Sequence, residues 1–424
     1  MPKFLHVADV HLGFDRYDSK ERTLDFFKAF RDVLQKYAIA ESVDFVLIAG
    51  DLFEHRNLQP NVLNHAKVCL RDLHEAGIPV IAIEGNHDNC PYGVKTSWLR
   101  YLAEWYDLIL LEPDSAPTAE TVYTPWNAVE KRGGYIDLPC GVRVLGSHWY
   151  GASAPTAIAQ LADAIQHLPP HTGQTVMLFH HGLEGQIARY QGALRYSDLL
   201  PLKNAGVDYL ALGHIHKNYA EQGWIFNPGS IEANSVEEAT FTRGAYLVAI
   251  DACGIQAELK QDYYQRPVVR LKLTTAGQDS VEQVEEKAIA LVQQAIQTHK
   301  LNPESQPIVE LKIEGQVGFD RLELDIRKLQ QTLKELSNAL IFLLKYEVNA
   351  TEYASPIAED ANRLQIEQEV FTDLVTAHNT YKKQAQTLAK GLLDLKDLQH
   401  DGRSDTDLYE FVERLLTFDP QGPE

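Results

Sequence analysis

The chain has 424 residues, with 39 basic and 59 acidic side chains and a formal net charge of −20 at pH 7. This length exceeds one ordinary domain and predicts two or three, each able to bury its own core. The acidic balance excludes a chain that binds nucleic acid through its overall charge. A contact with DNA would therefore need a locally basic groove, bound cations or a basic partner.

The four cysteines, Cys69, Cys90, Cys140 and Cys253, are isolated in the chain and form no Cys-x-x-Cys pair. Isolated cysteines favour a reducing, cytoplasmic setting over a disulfide-rich secreted one. The first predicted strand begins within a few residues of the N-terminus, and no apolar run reaches the length of a membrane span. We therefore expect no signal peptide and no membrane partner.

Strands and helices alternate from Phe4 to about Tyr264, which is typical of an α/β fold. The segment 19–37 predicts an amphipathic helix whose apolar stripe includes Leu24, and 60–76 predicts another. Because these helices connect consecutive strands, the first strands should be parallel. The strands between 224 and 264 follow one another closely and are expected to be antiparallel. Two sheets packed face to face, with helices outside, accommodate both patterns.

Two boundaries divide the chain, one at Arg266-Pro267 and one around 349–356. Between them, alternating strands and helices predict a compact α+β unit without a cluster of metal-type ligands. Beyond the second boundary, three apolar stripes at helical spacing predict a helical segment. We predict three domains, spanning 1–265, 266–348 and 349–424, the last beginning with a linker.

Polar side chains of the kinds that bind metals follow five predicted strands of the first domain. They are Asp9 with His11, Asp51, Asn86 with His87 and Asp88, His180, and His214 with His216. The carboxyl ends of parallel strands meet at one edge of a sheet, where ligands collect in open α/β folds. A single strand end of this kind is weak evidence for a site, since Asn-His-Asp is also a common turn sequence. Five of them predict a single site.

The donors at these strand ends suit a two-metal centre. The predicted metal ligands are Asp9, His11, Asp51, Asn86, His180, His214 and His216. Mixed carboxylate, amide and imidazole donors suit a divalent first-row ion such as Mn²⁺, and this number fits two ions about 3.5–4 Å apart. Asp51, a lone carboxylate on a central strand, is the predicted bridge. His87 is then free to donate to the phosphoryl oxygen of a phosphate substrate or to protonate its leaving group, with Asp88 orienting the other ring nitrogen.

The motifs resemble those of the calcineurin-like metallophosphoesterases and, in more detail, of the SbcD-type DNA repair exonucleases. The matching segments are 6–13, 49–53, 83–88, 213–216 and 227–230. The resemblance implies a four-layer α/β/β/α sandwich, two Mn²⁺ ions and a capping domain in the α+β unit. It also implies a C-terminal segment that docks on an SbcC-type SMC-like ATPase, and a homodimer.

The resemblance further implies how the ligands are shared between the two ions. One ion would take Asp9, His11, Asp51 and His216, and the other Asp51, Asn86, His180 and His214. There is one departure from the pattern. Many such exonucleases place a histidine directly after Gly-Asp-Leu-Phe, where Glu54 stands here with His55 next. That arrangement is more like the YhaO-like branch.

Some residues allow two interpretations. His181 is an alternative ligand to His180, although strand alternation from Phe179 favours His180. His55 is either a substrate contact or an exposed turn residue. Segment 227–230 either supports the site or forms a simple turn.

The basic residues near the last two ligand clusters are also ambiguous. Arg189, Arg195 and Lys217 are candidate contacts to backbone phosphates, and scattered surface charge is the other interpretation. The apolar stripes after 349 either dock on a partner or pack within their own domain.

These features together predict a Mn²⁺-dependent exonuclease and endonuclease subunit that hydrolyses phosphodiester bonds at DNA ends by a two-metal mechanism. It would act with the SbcC-type ATPase in DNA repair or recombination. One alternative is an enzyme of the same fold that acts on a small phosphodiester or phosphomonoester. The other is a scaffold for the ATPase whose nuclease is weak because of Glu54.

Overall fold

The structure is a computed structural model that describes residues 1–106, 108–114, 118–186, 192–251, 254–350, 363–376, 381 and 384–417. The strands are β1 Lys3–Val7, β2 Phe45–Ala49, β3 Val80–Ile83, β4 Leu108–Leu110, β5 Tyr135–Asp137, β6 Val142–Leu145, β7 Gln174–His180, β8 Tyr209–Gly213, β9 Tyr219–Glu221, β10 Ile225–Asn227, β11 Ala245–Asp251, β12 Gly254–Lys260, β13 Val268–Thr275, β14 Ile308–Val317 and β15 Ile341–Ala350. The α-helices are α1 Lys20–Val33, α2 Pro60–Glu75, α3 Trp98–Trp105, α4 Ala119–Val122, α5 Ala154–Gln166, α6 Tyr196–Asn204, α7 Val281–Gln297, α8 Ile326–Ser337, α9 Arg363–Thr376, α10 Ala385–His400 and α11 Asp405–Thr417. Across the described ranges, no helix combines the length and apolarity that a membrane crossing requires.

The strands form two six-stranded sheets and one three-stranded sheet. Their orders are β12-β11-β1-β2-β3-β4, β5-β6-β7-β8-β10-β9 and β13-β14-β15. The strands β1 to β4 pair in parallel, as expected from their helical connections. β11 is antiparallel to β1 and β12, also as expected. β10 differs from the expectation, because it is antiparallel to β9 but parallel to β8.

Apolar side chains hold the two large sheets together as the middle layers of a sandwich. The inner faces share one core, in which Phe4 of β1 stacks on Phe45 at 4.8 Å and meets Tyr209 of β8 edge-on at 5.3 Å. Helices α1, α2 and α3 cover the outer face of the first sheet, and α5 and α6 that of the second. The predicted α/β/β/α layering is confirmed.

The first helix differs in detail from its prediction. The α-helix ends at Val33 and continues as a π-helical segment over Leu34–Ile39. Leu24, expected on the buried stripe, is 41% exposed, whereas Phe30 of the same stripe is buried as expected and Phe26 joins it on the core side. The larger aromatic pair, four residues apart, lies on one helical face and sets which side of the helix is buried.

The predicted boundary at Arg266 is held by a buried ion pair. The Arg266 guanidinium contacts both oxygens of Asp25, at 2.5 and 2.8 Å, and donates to the carbonyl of Gln306 at 2.7 Å. Arg22 donates to the same carboxylate at 2.9 Å. Burial raises the pKa of Asp25, but the hydrogen bonds and charges around it outweigh burial and lower it. The segment that leads into β13 is therefore anchored on α1.

The chain divides into two compact units. One comprises Met1–Leu271, Ile289–Lys312 and Arg327–Lys345, and the other Lys272–Ala288, Ile313–Ile326 and Tyr346–Glu424. Residues 351–362, which contain most of the second predicted boundary, lie outside the described residues. The three-domain division stays a prediction.

Candidate metal centre

The predicted ligands lie at the carboxyl ends of parallel strands in both large sheets. Asp9 follows β1, Asp51 follows β2 and Asn86 follows β3, while His180 is the last residue of β7 and His214 comes directly after β8. The strands β1, β2 and β3 run in parallel, as do β7 and β8, so these side chains share one edge of the sandwich.

The first group of donors contains Asp9, His11 and His216, whose ligand atoms all lie within 4.8 Å of one another. The Nε2 atoms of His11 and His216 are 3.1 Å apart. Asp9 is fully buried, and its two carboxylate oxygens lie 2.9 Å from the backbone N–H of His214. The backbone after β8 is thereby tied to the carboxylate after β1.

The second group contains Asp51, His180 and His214, again with ligand atoms within 4.8 Å. His180 Nε2 lies 3.2 Å from Asp51 Oδ2 and 3.1 Å from Asn86 Oδ1. The same Asn86 oxygen is 2.8 Å from His214 Nδ1. Carboxylate, amide and imidazole donors therefore converge from four different strands. His181, the alternative to His180, has both ring nitrogens 3.2 Å from backbone carbonyls and is not in this group.

The hydrogen bonds around His180 test whether this donor set fits a metal ion. Its Nδ1 is 2.8 Å from the carbonyl of Ala49, which can only accept, so Nδ1 carries the proton. When Nε2 carries no proton, the ring presents its lone pair to the oxygens of Asp51 and Asn86. Lone pairs that converge in this way need a cation between them. The residues fit a divalent metal ion with nitrogen and oxygen ligands.

The ionisation of the buried pair leads to the same conclusion. Burial lowers the pKa of His180, but the Asp51 carboxylate outweighs burial and raises it to about 9. Burial raises the pKa of Asp51, yet the charges of His180 and His11 hold it below its usual value. A divalent ion takes the place of the proton in such a site, so metal binding releases protons.

Backbone strain is concentrated at the predicted ligands. Asp9, His11, Asp51 and His214 all have positive φ, at 50°, 51°, 53° and 86°. A non-glycine residue in this region costs on the order of 1–3 kcal/mol, and such residues cluster at functional sites. Four predicted ligands therefore hold conformations that the surrounding fold must impose.

Two glycines let the ligands approach the backbone. A Cβ on Gly85 would collide with the carboxylate and backbone nitrogen of Asp51. A Cβ on Gly213 would collide with the carbonyl of Ala49 and crowd the ring of His180. The glycines that end the strand motifs are therefore required by the packing of the site itself.

Segment 227–230 supports the turn that carries two predicted ligands. Asn227 Nδ2 donates to the carbonyls of Ile215 and Lys217, at 2.6 and 2.9 Å. The backbone N–H of Ser230 donates to the carbonyl of His216 at 3.2 Å. Of the two interpretations, the geometry favours support of the site.

His87 lies beside the first donor group, but its predicted partner is wrong. Its Nδ1 donates to the backbone carbonyl of Glu54 at 2.7 Å, not to Asp88. Its backbone N–H donates to Asp51 Oδ1 at 2.8 Å, and its ring lies 5.0 Å from that of His11. The Nδ1 proton leaves Nε2 as the nitrogen available for proton transfer.

Asp88 instead accepts three backbone N–H groups. These belong to Leu52, Phe53 and Gly85, at 3.2, 3.0 and 3.1 Å. Burial and the nearby Asp51 carboxylate raise the pKa of Asp88 to about 7. The role of Asp88 is to join the loops after β2 and β3, because a turn residue that binds both backbones cannot also reach the neighbouring ring.

Two carboxylates that sequence reasoning did not assign complete the surroundings of the first group. Glu54 Oε2 lies 2.8 Å from His11 Nδ1, and Glu238 Oε1 lies 2.9 Å from His216 Nδ1. Glu54 was noted only as a departure from a family motif. Glu238 stands well beyond its histidine in the chain, on a 3₁₀ helix at Val236–Thr240, and no local pattern identifies it.

The predicted substrate contacts are not brought together. His55 is exposed and pairs with Asp15 at 3.0 Å, Arg195 is exposed at the start of α6, and Lys217 Nζ lies 3.5 Å from the carbonyl of Gln186. Arg189 lies outside the described residues. Arg56, which the motifs did not single out, donates to the carbonyl of Asn86 at 3.3 Å and so lies at the rim of the centre.

A four-layer sandwich with metal donors at its strand ends defines the class of metal-dependent phosphoesterases. The model of the calcineurin-like phosphoesterase family matches residues 2–218, just over half of the chain, and the chain belongs to that family. The resemblance seen in the motifs is therefore confirmed.

Several named relatives are DNA repair proteins. The chain is similar to the DNA double-strand break repair protein Mre11 of Archaeoglobus fulgidus, with 31% identity over 56% of this chain and 52% of that protein. It is 23% identical to the protein of the same name from Saccharolobus solfataricus, over 95% and 96% of the two chains. It is 27% identical to the uncharacterized metallophosphoesterase YhaO of Bacillus subtilis, over 61% and 60%. The chain spans about half the length of the Archaeoglobus protein and of its Aeropyrum pernix counterpart.

Proposed function

We propose that the protein is a Mn²⁺-dependent nuclease subunit that hydrolyses phosphodiester bonds at DNA ends with two metal ions. The convergence of two donor groups carries the proposal. His180 contacts both the Asn86 amide oxygen and the Asp51 carboxylate in one group, and Asp9, His11 and His216 form the other. Membership of the phosphoesterase family supports the reaction type. The names of the Mre11 relatives support DNA as the substrate.

Different residues of the chain would bind the metals and donate the proton during hydrolysis. Asp9, His11, Asp51, Asn86, His180, His214 and His216 would hold the metals. When bound, the ions lower the pKa of a water and stabilise the attacking and leaving oxygens. Water oxygen forms the new bond to phosphorus, and the bond from phosphorus to the leaving sugar oxygen breaks. In its doubly protonated form, His87 keeps the Nδ1 proton on the Glu54 carbonyl and gives the Nε2 proton to that leaving oxygen. The water proton passes to solvent, and solvent restores the Nε2 proton for the next turnover.

The basic residues near the centre would bind the DNA backbone. Arg56 is the best placed, since its guanidinium already contacts the backbone of Asn86. Lys217 follows His216 directly. Arg195 and His55 are proposed as more distant contacts, and Arg189 stays a candidate from the sequence alone. Bound cations would offset the acidic net charge of the chain at the site itself.

The substrate panel that tests this proposal uses purified full-length protein with Mn²⁺. Linear duplex, a DNA hairpin, bis-p-nitrophenyl phosphate and cyclic nucleotides are compared, with and without excess EDTA. We expect cleavage of both DNA substrates and of the small diester, abolished by the chelator. Cleavage of cyclic nucleotides but never of DNA, even with a partner ATPase, would assign the small-substrate alternative. No cleavage of any diester would assign the scaffold alternative.

We propose that 1–265 carries the chemistry, that 266–348 caps it, and that 349–424 docks on an SbcC-type ATPase. Helices α9, α10 and α11 belong to one compact unit and form a groove of about 290 Å³. The groove is lined by Leu374, Val375, Tyr381, Leu388, Leu392, Leu395, Val412, Leu415 and Leu416. An apolar groove of this kind fits the apolar face of a partner helix.

Exposed residues at the groove provide the docking test. Leu374 is 62% exposed and Leu416 is 54% exposed, so glutamate at both positions leaves buried packing intact. We expect Leu374→Glu with Leu416→Glu to weaken ATPase binding at least thirtyfold, since the loss of one residue at the centre of an interface costs about 2 kcal/mol or more. Isothermal titration calorimetry measures the affinity, and diester cleavage should be unchanged. Leu364→Glu, at an exposed position outside the groove, is the matched control. Unchanged binding in the double variant would remove the docking proposal.

The proposal also places the protein as a homodimer in a reducing cytoplasm. Within the described ranges, Cys69, Cys90 and Cys140 are free thiols, which suits such a setting. A sedimentation mass of a single chain would contradict the homodimer.

A further inference from the structure

We propose that Glu54 and Glu238 are positioning residues that make the half of the centre containing His11 and His216 the tighter metal site. The inference rests on the proposed two-metal function and adds a difference between its two halves. Neither glutamate is among the predicted ligands. Each contacts a ligand histidine through the ring nitrogen that faces away from the other histidine.

Two hydrogen bonds of its own backbone fix the position of Glu54 beside His11. Its N–H donates to the carbonyl of Leu12 at 3.0 Å, and its carbonyl accepts from His87 Nδ1 at 2.7 Å. The carboxylate then lies 2.8 Å from His11 Nδ1, an ion-pair distance. Both atoms are buried and neither forms a hydrogen bond within the described residues, so the contact between them is one of charge and proximity. The carboxylate and the imidazole therefore depend on each other.

Hydrogen bonds also fix Glu238, which lies beside His216. Its Oε2 accepts the backbone N–H of Asn234 at 2.9 Å, and the Arg243 guanidinium donates to its carbonyl. Its Oε1 accepts from His216 Nδ1 at 2.9 Å. The Glu238 side chain is only 16% exposed, so solvent does not compete for the contact.

Each carboxylate lies at the ring nitrogen that faces away from the other histidine. Glu238 accepts from His216 Nδ1, which leaves Nε2 to bind a metal once it carries no proton, and Glu54 brings its negative charge to 2.8 Å from His11 Nδ1. The two Nε2 atoms are 3.1 Å apart. A carboxylate behind a histidine fixes the ring and raises its basicity as a ligand. In the other half, His180 Nδ1 donates to the neutral carbonyl of Ala49. That partner orients the ring without adding negative charge.

The charges of the nearby side chains act in the same direction. The half with Glu54 and Glu238 also contains the Asp9 carboxylate. The other half contains the Asp51 carboxylate and the neutral amide of Asn86. A divalent cation is stabilised more strongly where more carboxylates surround it. We therefore expect the first ion to occupy the half that holds His11 and His216.

Calorimetric titration of metal-free full-length protein with Mn²⁺ tests the inference without any cleavage assay. The wild type should bind two ions per chain in two classes of different affinity. We expect Glu54→Gln and Glu238→Gln each to weaken the tighter class by about 10- to 100-fold, the usual effect of losing such a partner, and to leave the weaker class unchanged. Glutamine keeps the shape of the side chain and removes its charge.

The matched control is Asp15→Asn, which removes a carboxylate that contacts a histidine outside the predicted metal ligands. Asp15 contacts the exposed His55 at 3.0 Å, and its loss should change neither class. Thermal melts of the metal-free variants, monitored by circular dichroism, should match the wild type and exclude a general loss of structure.

The outcomes that contradict the inference differ from the one that contradicts the proposed function. Unchanged affinities, an equal loss in both classes, or a loss confined to the weaker class would overturn the inference while leaving two-metal hydrolysis intact. A drop from two ions to one in Glu54→Gln would also overturn it, because Glu54 would then be a ligand. Fewer than two ions in the wild type would contradict the proposed two-metal function itself.

Discussion

Asp51→Asn is expected to reduce Mn²⁺-dependent diester cleavage by on the order of a thousandfold or more, because a metal centre contributes several kcal/mol to the transition state. The carboxylate is 2% exposed, contacts His180 Nε2 at 3.2 Å and accepts the backbone N–H of His87 at 2.8 Å. Replacing it with an amide removes the charge proposed to hold both ions. Initial rates on bis-p-nitrophenyl phosphate measure the loss.

Asp208→Asn is the control for this substitution. Asp208 lies just before β8, at the end of β7 and β8 that is far from His180 and His214, where its carboxylate accepts the N–H of Thr175 at 2.9 Å. Its loss should leave the cleavage rate near that of the wild type. An Asp51→Asn protein that keeps more than a tenth of wild-type activity at saturating Mn²⁺ would remove Asp51 as the bridge.

His87→Gln should lower kcat by about 10²- to 10⁴-fold, the range for loss of a general acid, and leave Mn²⁺ affinity unchanged. The His87 ring is anchored through Nδ1 to the carbonyl of Glu54, which leaves Nε2 for the leaving oxygen. The effect should be smallest with a p-nitrophenyl leaving group, which departs without a proton, and largest with DNA. That difference separates proton donation from metal binding.

The control for His87 is His167→Gln at the end of α5. His167 is exposed and its Nδ1 lies 2.8 Å from the carbonyl of Asp163. Equal losses on both substrates, or a weaker affinity for Mn²⁺, would show that His87 acts as a ligand rather than as a proton donor.

The parts of the fold that sequence reasoning predicted are those with strong periodicity. The buried strands β1, β2, β3, β7 and β8 each end in a polar cluster, and the parallel arrangement follows from the helices between them. Helices α5 and α6 were not predicted. α6 contains Pro201, which normally argues against a helix, and its packing on the sheet outweighs that preference.

At the centre, the donor residues were predictable and their partners were not. Strand ends place residue types at one edge, so Asp51 and His180 could be named without coordinates. The prediction that Asp88 is the Nδ1 partner of His87 was wrong. It relied on adjacency in the sequence, whereas the carbonyl that accepts the Nδ1 proton belongs to Glu54 in another loop. Glu238 had no local signal at all, since the contact with His216 exists only after the chain has folded.

The left-handed backbone at the ligands also affects how this enzyme could lose its chemistry. Asn and Gly tolerate positive φ better than other residues do. At Asp9 and Asp51, a change to Asn would remove the negative charge and keep an oxygen that accepts the N–H of His214 or His87. Glycine would lose that hydrogen bond, and alanine or valine would also add strain. Pseudoenzymes of this lineage should therefore carry Asn at these two positions and keep the fold.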